Sequence, residues 1–184
     1  MFLPDKLDVA AFARDGGQLS GDLPAGSLLR LADAAAPEAP ASVWPAVKWL
    51  VRGERREPRG AQPQTWLYLE ASAQTQLTCQ RCLQPVQELV EFSRWFRFAQ
   101  DEAAAAEIDV DSEEDVLVLS RSFDVLALIE DELLLSLPLV PRHEQCPEPL
   151  APLQDPSLAA GELEAERPHP FAALAALKKQ GPAQ

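Results

Sequence analysis

The sequence predicts an α+β protein, and three observations carry that expectation. Segments 43–51, 65–77 and 86–98 are rich in Val, Trp, Tyr and Phe and are separated by Gly, Pro or Cys, the composition of strands set off by turns. A later segment, 123–137, repeats its apolar residues at helical spacing. A chain of 184 residues, 47% of them hydrophobic, can bury one substantial core with extensions and excludes a large multidomain enzyme. The expected architecture is an antiparallel β-sheet covered by one main helix, with an acidic Pro-rich tail ending in a short helix.

Taken in chain order, Gly21, Pro24, Gly26, Pro37 and Pro40 surround Ser27-Leu28-Leu29-Arg30-Leu31. This reads as a short helix between loops, so 1–42 is expected to be an N-terminal segment packed on a core domain at 43–146. In the third strand-like segment Val90, Phe92, Phe96 and Phe98 share one face, while Glu91, Ser93 and Arg97 take the other. Arg94 and Trp95 interrupt that alternation. The second and third segments are joined by residues 78–85, short enough for a hairpin, which puts Cys79 and Cys82 at a hairpin end.

Residues 101–115 hold eight acids and no base around Ala103 to Ala106 and read as a solvated loop; they lack the Gly and the carboxylate spacing of a calcium loop. Ser122 is placed to cap a helix over 123–137, with Leu126, Ile129, Leu133 and Leu137 on one stripe and Pro138 as its stop. Six prolines between 147 and 170 argue for an extended tail over 147–184. At its end Phe171, Leu174 and Leu177 recur at helical spacing before Lys178 and Lys179, an amphipathic helix too short to persist alone and so an anchor for a partner or for the protein's own body.

The net charge of -13 is unevenly placed: residues 1–99 carry equal numbers of acids and bases, so the whole excess lies in 100–184. Such a surface repels phosphate, which confines any direct RNA contact to the first half. The acidic start, Met1 to Asp8, lacks the basic region of a secretory signal, and no apolar run is long enough for a membrane span. A cytoplasmic location is expected.

Chemistry is concentrated in the three cysteines. Cys79 and Cys82 at C-x-x-C spacing, with His143 and Cys146 at H-x-x-C spacing, are four ligands of types that suit a structural zinc. Sequence does not show whether the pairs meet. A redox C-x-x-C favours a helix N-terminus, whereas this one follows a strand and enters a turn ending at Pro85. Only two histidines occur, His143 and His169, both in proline-rich surroundings and far from a G-x-S-x-G turn; no phosphate-binding glycine motif is present. No enzymatic activity is expected, and no small-molecule substrate.

A basic cluster follows Trp44 and Trp49: Lys48, Arg52, Arg55, Arg56 and Arg59. Aromatics beside arginines can stack on unpaired bases while the guanidinium groups meet phosphate, which makes 44–59 a candidate single-stranded RNA contact. The alternative is a solvated turn between strands, balanced by Glu54 and Glu57.

Three stretches together resemble the YceD family, the large ribosomal RNA subunit accumulation proteins of bacteria. They are Cys79-Gln80-Arg81-Cys82-Leu83 with the Phe-rich strand to Phe98; Asp124 through Ile129-Glu130-Asp131-Glu132-Leu133 to His143 and Cys146; and Pro170-Phe171-Ala172-Ala173-Leu174-Ala175-Ala176-Leu177-Lys178. The resemblance implies a role in synthesis, processing or stability of large-subunit ribosomal RNA without an established enzymatic activity, and the three cysteines match family positions. Charge adds that such an accessory factor acts mainly through protein contacts, with a ribosomal or ribosome-assembly protein as partner. The rival expectations are a direct RNA-binding module at 44–59 and a zinc or thiol protein with its own activity.

Overall fold

Long runs of alternating residues give long strands. The computed structural model, which describes residues 2–60 and 62–147, contains β2 (Val47–Arg56), β3 (Gln64–Thr78) and β4 (Pro85–Ala99) as an antiparallel meander. On one face Val47 and Val51, Leu67 to Leu77 at odd positions, and Val90, Phe92, Phe96 and Phe98 are buried. On the other, Lys48, Arg52, Gln74, Glu91 and Ser93 are exposed.

The sheet is mixed and has five strands in the order β1 to β5, which corrects the expected all-antiparallel sheet. An edge strand, β1 (Gln18–Leu23), pairs antiparallel with β2 from within the segment read as loops. Its composition, with Gly21 and only two apolar residues, gives no strand signal because its pairing partner supplies the stability. At the other edge β5 (Asp115–Val118) runs parallel to β4. The crossover between them holds a helix, α3 (Glu102–Asp109), where a solvated loop was expected. The run Ala103 to Ala106 has the highest helix propensity available, and Asp101 caps it by accepting from the Ala104 N–H at 2.9 Å.

Two earlier helices join the core from the N-terminal segment. In α1 (Val9–Arg14), capped by Asp8, Val9 and Phe12 are fully buried. A Cβ at Gly53 would lie 2.7 Å from the Ala13 Cα, so α1 can approach β2 only because position 53 has no side chain. A single turn, α2 (Leu29–Ala32), is tied to α4 (Val125–Leu135): the Arg30 backbone N–H donates to Glu130 at 2.7 Å, and its guanidinium pairs with Glu130 and Asp131.

The cap of α4 is Asp124, accepting from the Ala127 N–H at 3.0 Å, and Ser122 stays outside the helix. The buried stripe is Val125, Ile129, Glu132 and Leu133, with Leu126 and Leu137 only half-buried. Ile129 and Leu133 belong to the expected stripe, while packing turns Val125 and Glu132 inward in place of Leu126 and Leu137. Leu7 and Phe123 exchange backbone hydrogen bonds of 2.8 and 2.9 Å, which anchors the start of the chain beside α4. The tail over 147–184, with the expected helix of Phe171, Leu174 and Leu177, lies outside the described residues apart from Pro147.

Candidate metal centre

The β3–β4 hairpin closes at Thr78 and Pro85, and its loop folds back on itself: the Cys79 N–H donates to Gln84 O at 3.0 Å, and the Leu83 N–H donates to Cys79 O at 2.9 Å. Turning the chain this tightly puts Leu83 at φ 62°, the left-handed region that favours glycine. Beyond α4, Pro138 ends the helical pattern and the chain returns to the hairpin, where Pro141 O accepts from the Gln80 N–H at 2.9 Å. The same hairpin end receives residues 34–36, with Ala36 N–H donating to Gln76 O at 2.9 Å. Leu77, Cys79, Cys82 and Val86 form a small second core there, against Ala34, Leu137 and Cys146.

These contacts bring Cys79, Cys82, His143 and Cys146 together, with their ligand atoms all within 4.8 Å of one another. Cys79 and Cys146 sulfurs are 4.0 Å apart, and Cys82 Sγ is 3.4 Å from His143 Nδ1. A disulfide needs about 2.05 Å, so the cysteines are free thiols. A tetrahedron with metal–sulfur bonds of about 2.3 Å has edges of about 3.8 Å, close to both distances. The donor set, three sulfurs and one imidazole, is the chemistry of a closed structural zinc site.

The local electrostatics favour a cation. Burial alone pushes the Cys79 thiol up, but backbone N–H groups of Arg81, Cys82 and His143 converge on its sulfur and, with the His143 side chain, bring it down to about 5. Cys146 is pushed up to about 11 by burial and by its contacts with the Cys82 and Cys79 sulfurs. A buried thiolate beside two further sulfurs is costly unless a positive ion compensates it. Backbone N–H donors on a ligand sulfur also fix its orientation, the usual role of groups behind a metal ligand.

The basic cluster is dispersed. Trp49, 8% exposed, and Trp44, whose Nε1 donates to Ala39 O at 2.9 Å, lie in the hydrophobic core and offer no face to a base. Arg55 pairs with Glu57 at 3.1 Å, and Arg59 is exposed beyond the end of β2. Arg52 and Arg56 lie on the opposite sheet face from Trp49. There they meet aromatics of β3 and β4: Arg52 stands 4.6 Å from the Tyr68 ring, and Arg56 4.1 and 4.4 Å from the Trp66 and Trp95 rings. The signal was present in the parity, since Arg52 and Arg56 alternate with Val47, Trp49 and Val51.

Together these features define a mixed-sheet α+β protein whose longest hairpin is clasped at its tip by a Cys3His cluster. The sequence model described as Large ribosomal RNA subunit accumulation protein YceD matches residues 67–178, more than half of the chain. A relative from Haemophilus influenzae, named Large ribosomal RNA subunit accumulation protein YceD, is 33% identical over 122 residues, covering 64% of this chain and 69% of that protein. The chain belongs to the YceD family. No solved structure matches it. Among the described residues no helix is long and apolar enough to cross a membrane.

Proposed function

We propose that the protein is a non-catalytic cytoplasmic accessory factor in the synthesis, processing or stability of large-subunit ribosomal RNA, built around a structural zinc held by Cys79, Cys82, His143 and Cys146. The observation that carries this reading is the convergence of the two ligand pairs, from a hairpin loop and from the segment after α4, in a chain of this family. Full burial of Cys79 and near-full burial of Cys82 support a structural metal over a thiol nucleophile, because a substrate would have to reach sulfurs that solvent does not.

The charge pattern supports action mainly through protein contacts. The acidic second half suits a basic ribosomal or ribosome-assembly protein, and it disfavours a broad RNA footprint. The test is the ratio of large- to small-subunit ribosomal RNA in cells depleted of the protein, with rescue by wild type and by Cys79→Ser combined with Cys82→Ser. A selective fall in the large species, restored by wild type alone, is expected. An unchanged ratio on depletion contradicts the role, and full rescue by the double variant contradicts the part given to the cluster.

A further inference from the structure

We infer that the sheet face opposite the core carries a short single-stranded RNA contact, formed by the half-buried Tyr68 and Trp95 with Arg52, Arg56 and Arg97, over a buried Trp66 that supports them. The inference rests on the proposed ribosomal RNA role and deepens it by locating where RNA touches the protein. The register builds the cluster: Arg52 faces Tyr68 across β2 and β3, while Trp66 faces Arg97 and Tyr68 faces Trp95 across β3 and β4. Trp95 meets Trp66 edge-on at 6.5 Å and Tyr68 at 5.1 Å. Arg56 lies over both tryptophans, Arg52 over Tyr68, and Arg97 lies 5.9 Å from the Trp66 ring.

The Arg52 and Arg56 guanidinium groups are held close against aromatic rings, and Arg97 stands farther off. That is the geometry that grips a phosphate oxygen pair or extends a stack to a base. Here Arg56 pairs with Glu54 at 2.8 Å, but among the described residues Arg52 and Arg97 have no carboxylate in ion-pair range. A hollow of about 250 Å³ opens beside the stack, walled by Gly16, Gly17, Arg52 and Trp95, with Glu54, the partner of Arg56, among its lining residues. That is smaller than the ~300–1,000 Å³ of small-molecule pockets, and it fits one side group of a polymer lying across the sheet. On the same face Glu70 accepts from the Tyr68 hydroxyl at 2.7 Å and, with Glu91, lines a second concavity; these carboxylates bound the favourable field, so the contact spans only two or three nucleotides.

The test is fluorescence polarisation of a labelled, unstructured 12-nucleotide RNA with the full chain at low salt. Wild type is expected to bind with a log–log salt slope of about −1.4 to −2.1, for two or three phosphates at about 0.7 each. Arg52→Ala with Arg97→Ala, and separately Trp95→Leu, are expected to weaken binding at least tenfold. Arg14→Ala with Arg121→Ala, away from the face, changes it less than twofold. Absence of low-salt binding by wild type overturns the inference, as does equal binding by all variants. So does capture of a basic ribosomal protein on this face, lost in the same variants, when RNA does not bind. Expressing the Arg52/Arg97 variant in depleted cells separates the two levels: rescue by it and by wild type removes the RNA contact and leaves the family role, whereas no defect on depletion removes the role itself.

Discussion

The two ends of the β3–β4 ribbon differ in chemistry and in burial. At the hairpin tip, Cys79 and Cys82 are shielded from solvent and joined to a distant segment by His143 and Cys146. At the open end, Trp95 and Tyr68 are half-buried among their arginines on the sheet face opposite the core. A buried thiol cluster gains most by holding chain segments together, whereas a half-buried cation–aromatic array gains modest stability and keeps part of its charge available. The tip is therefore read as the structural end and the other as the recognition end. Substitutions at each should separate stability from binding.

The largest effect is expected at the tip. A zinc held by the proposed centre at about 1,000-fold above its Kd would contribute about 4 kcal/mol, so Cys82→Ser should lower Tm by about 10 °C in a thermal melt. RNA binding at a temperature where the variant stays folded should persist; a stable variant that loses RNA instead would reverse the comparison. Next comes the frame beneath the open end. Gly53→Ala places a Cβ 2.7 Å from the Ala13 Cα, and such overpacking costs about 1–3 kcal/mol, measurable by urea unfolding. A neutral result would show that α1 can shift off β2.

Trp95→Ala should lose about 1–2 kcal/mol, from its edge-on contact with Trp66 and from the Arg56 stack. A larger loss would make the open end structural too. Leu83→Gly should stabilise by about 0.5–1 kcal/mol, because Leu83 is 57% exposed and sits at φ 62°. Destabilisation would mean that its side chain holds the hairpin closed.

Between the two ends, Glu132 is 4% exposed and 3.3 Å from Arg94, which also meets Asp115 at 3.5 Å. Burial raises its pKa more than Arg94 lowers it. The folded state then holds this proton more tightly than the unfolded chain, so the Glu132 contribution to stability falls as pH rises from the ordinary carboxylate range through the raised value. Glu132→Gln should remove that slope in denaturant titrations from mildly acidic to neutral pH; an unchanged profile would contradict it.

The difference between the ends also governs how much the sequence disclosed. The ligand pairs are visible as local spacings, C-x-x-C and H-x-x-C, while their meeting depends on the turn after Pro138 and on the Gln80–Pro141 hydrogen bond, which no local pattern encodes. The buried face of β4 was readable from Val90, Phe92, Phe96 and Phe98 because the strand is long. The edge strands were not, since Gln18–Leu23 and Asp115–Val118 are defined by pairing more than by composition. Trp95 looked like a defect in the alternation until register placed it opposite Tyr68. Trp49 misled for the converse reason: an aromatic beside basic residues suggested exposure, although its parity with Val47 and Val51 marks the core face.

The most direct test of the account is the metal content of the purified full chain, by elemental analysis, paired with a thermal melt before and after a strong chelator. One zinc per chain, with Tm falling by about 10 °C on chelation, is the result a structural Cys3His centre requires. Substoichiometric metal with an unchanged Tm would contradict it and leave the four residues as a buried thiol cluster without a structural ion.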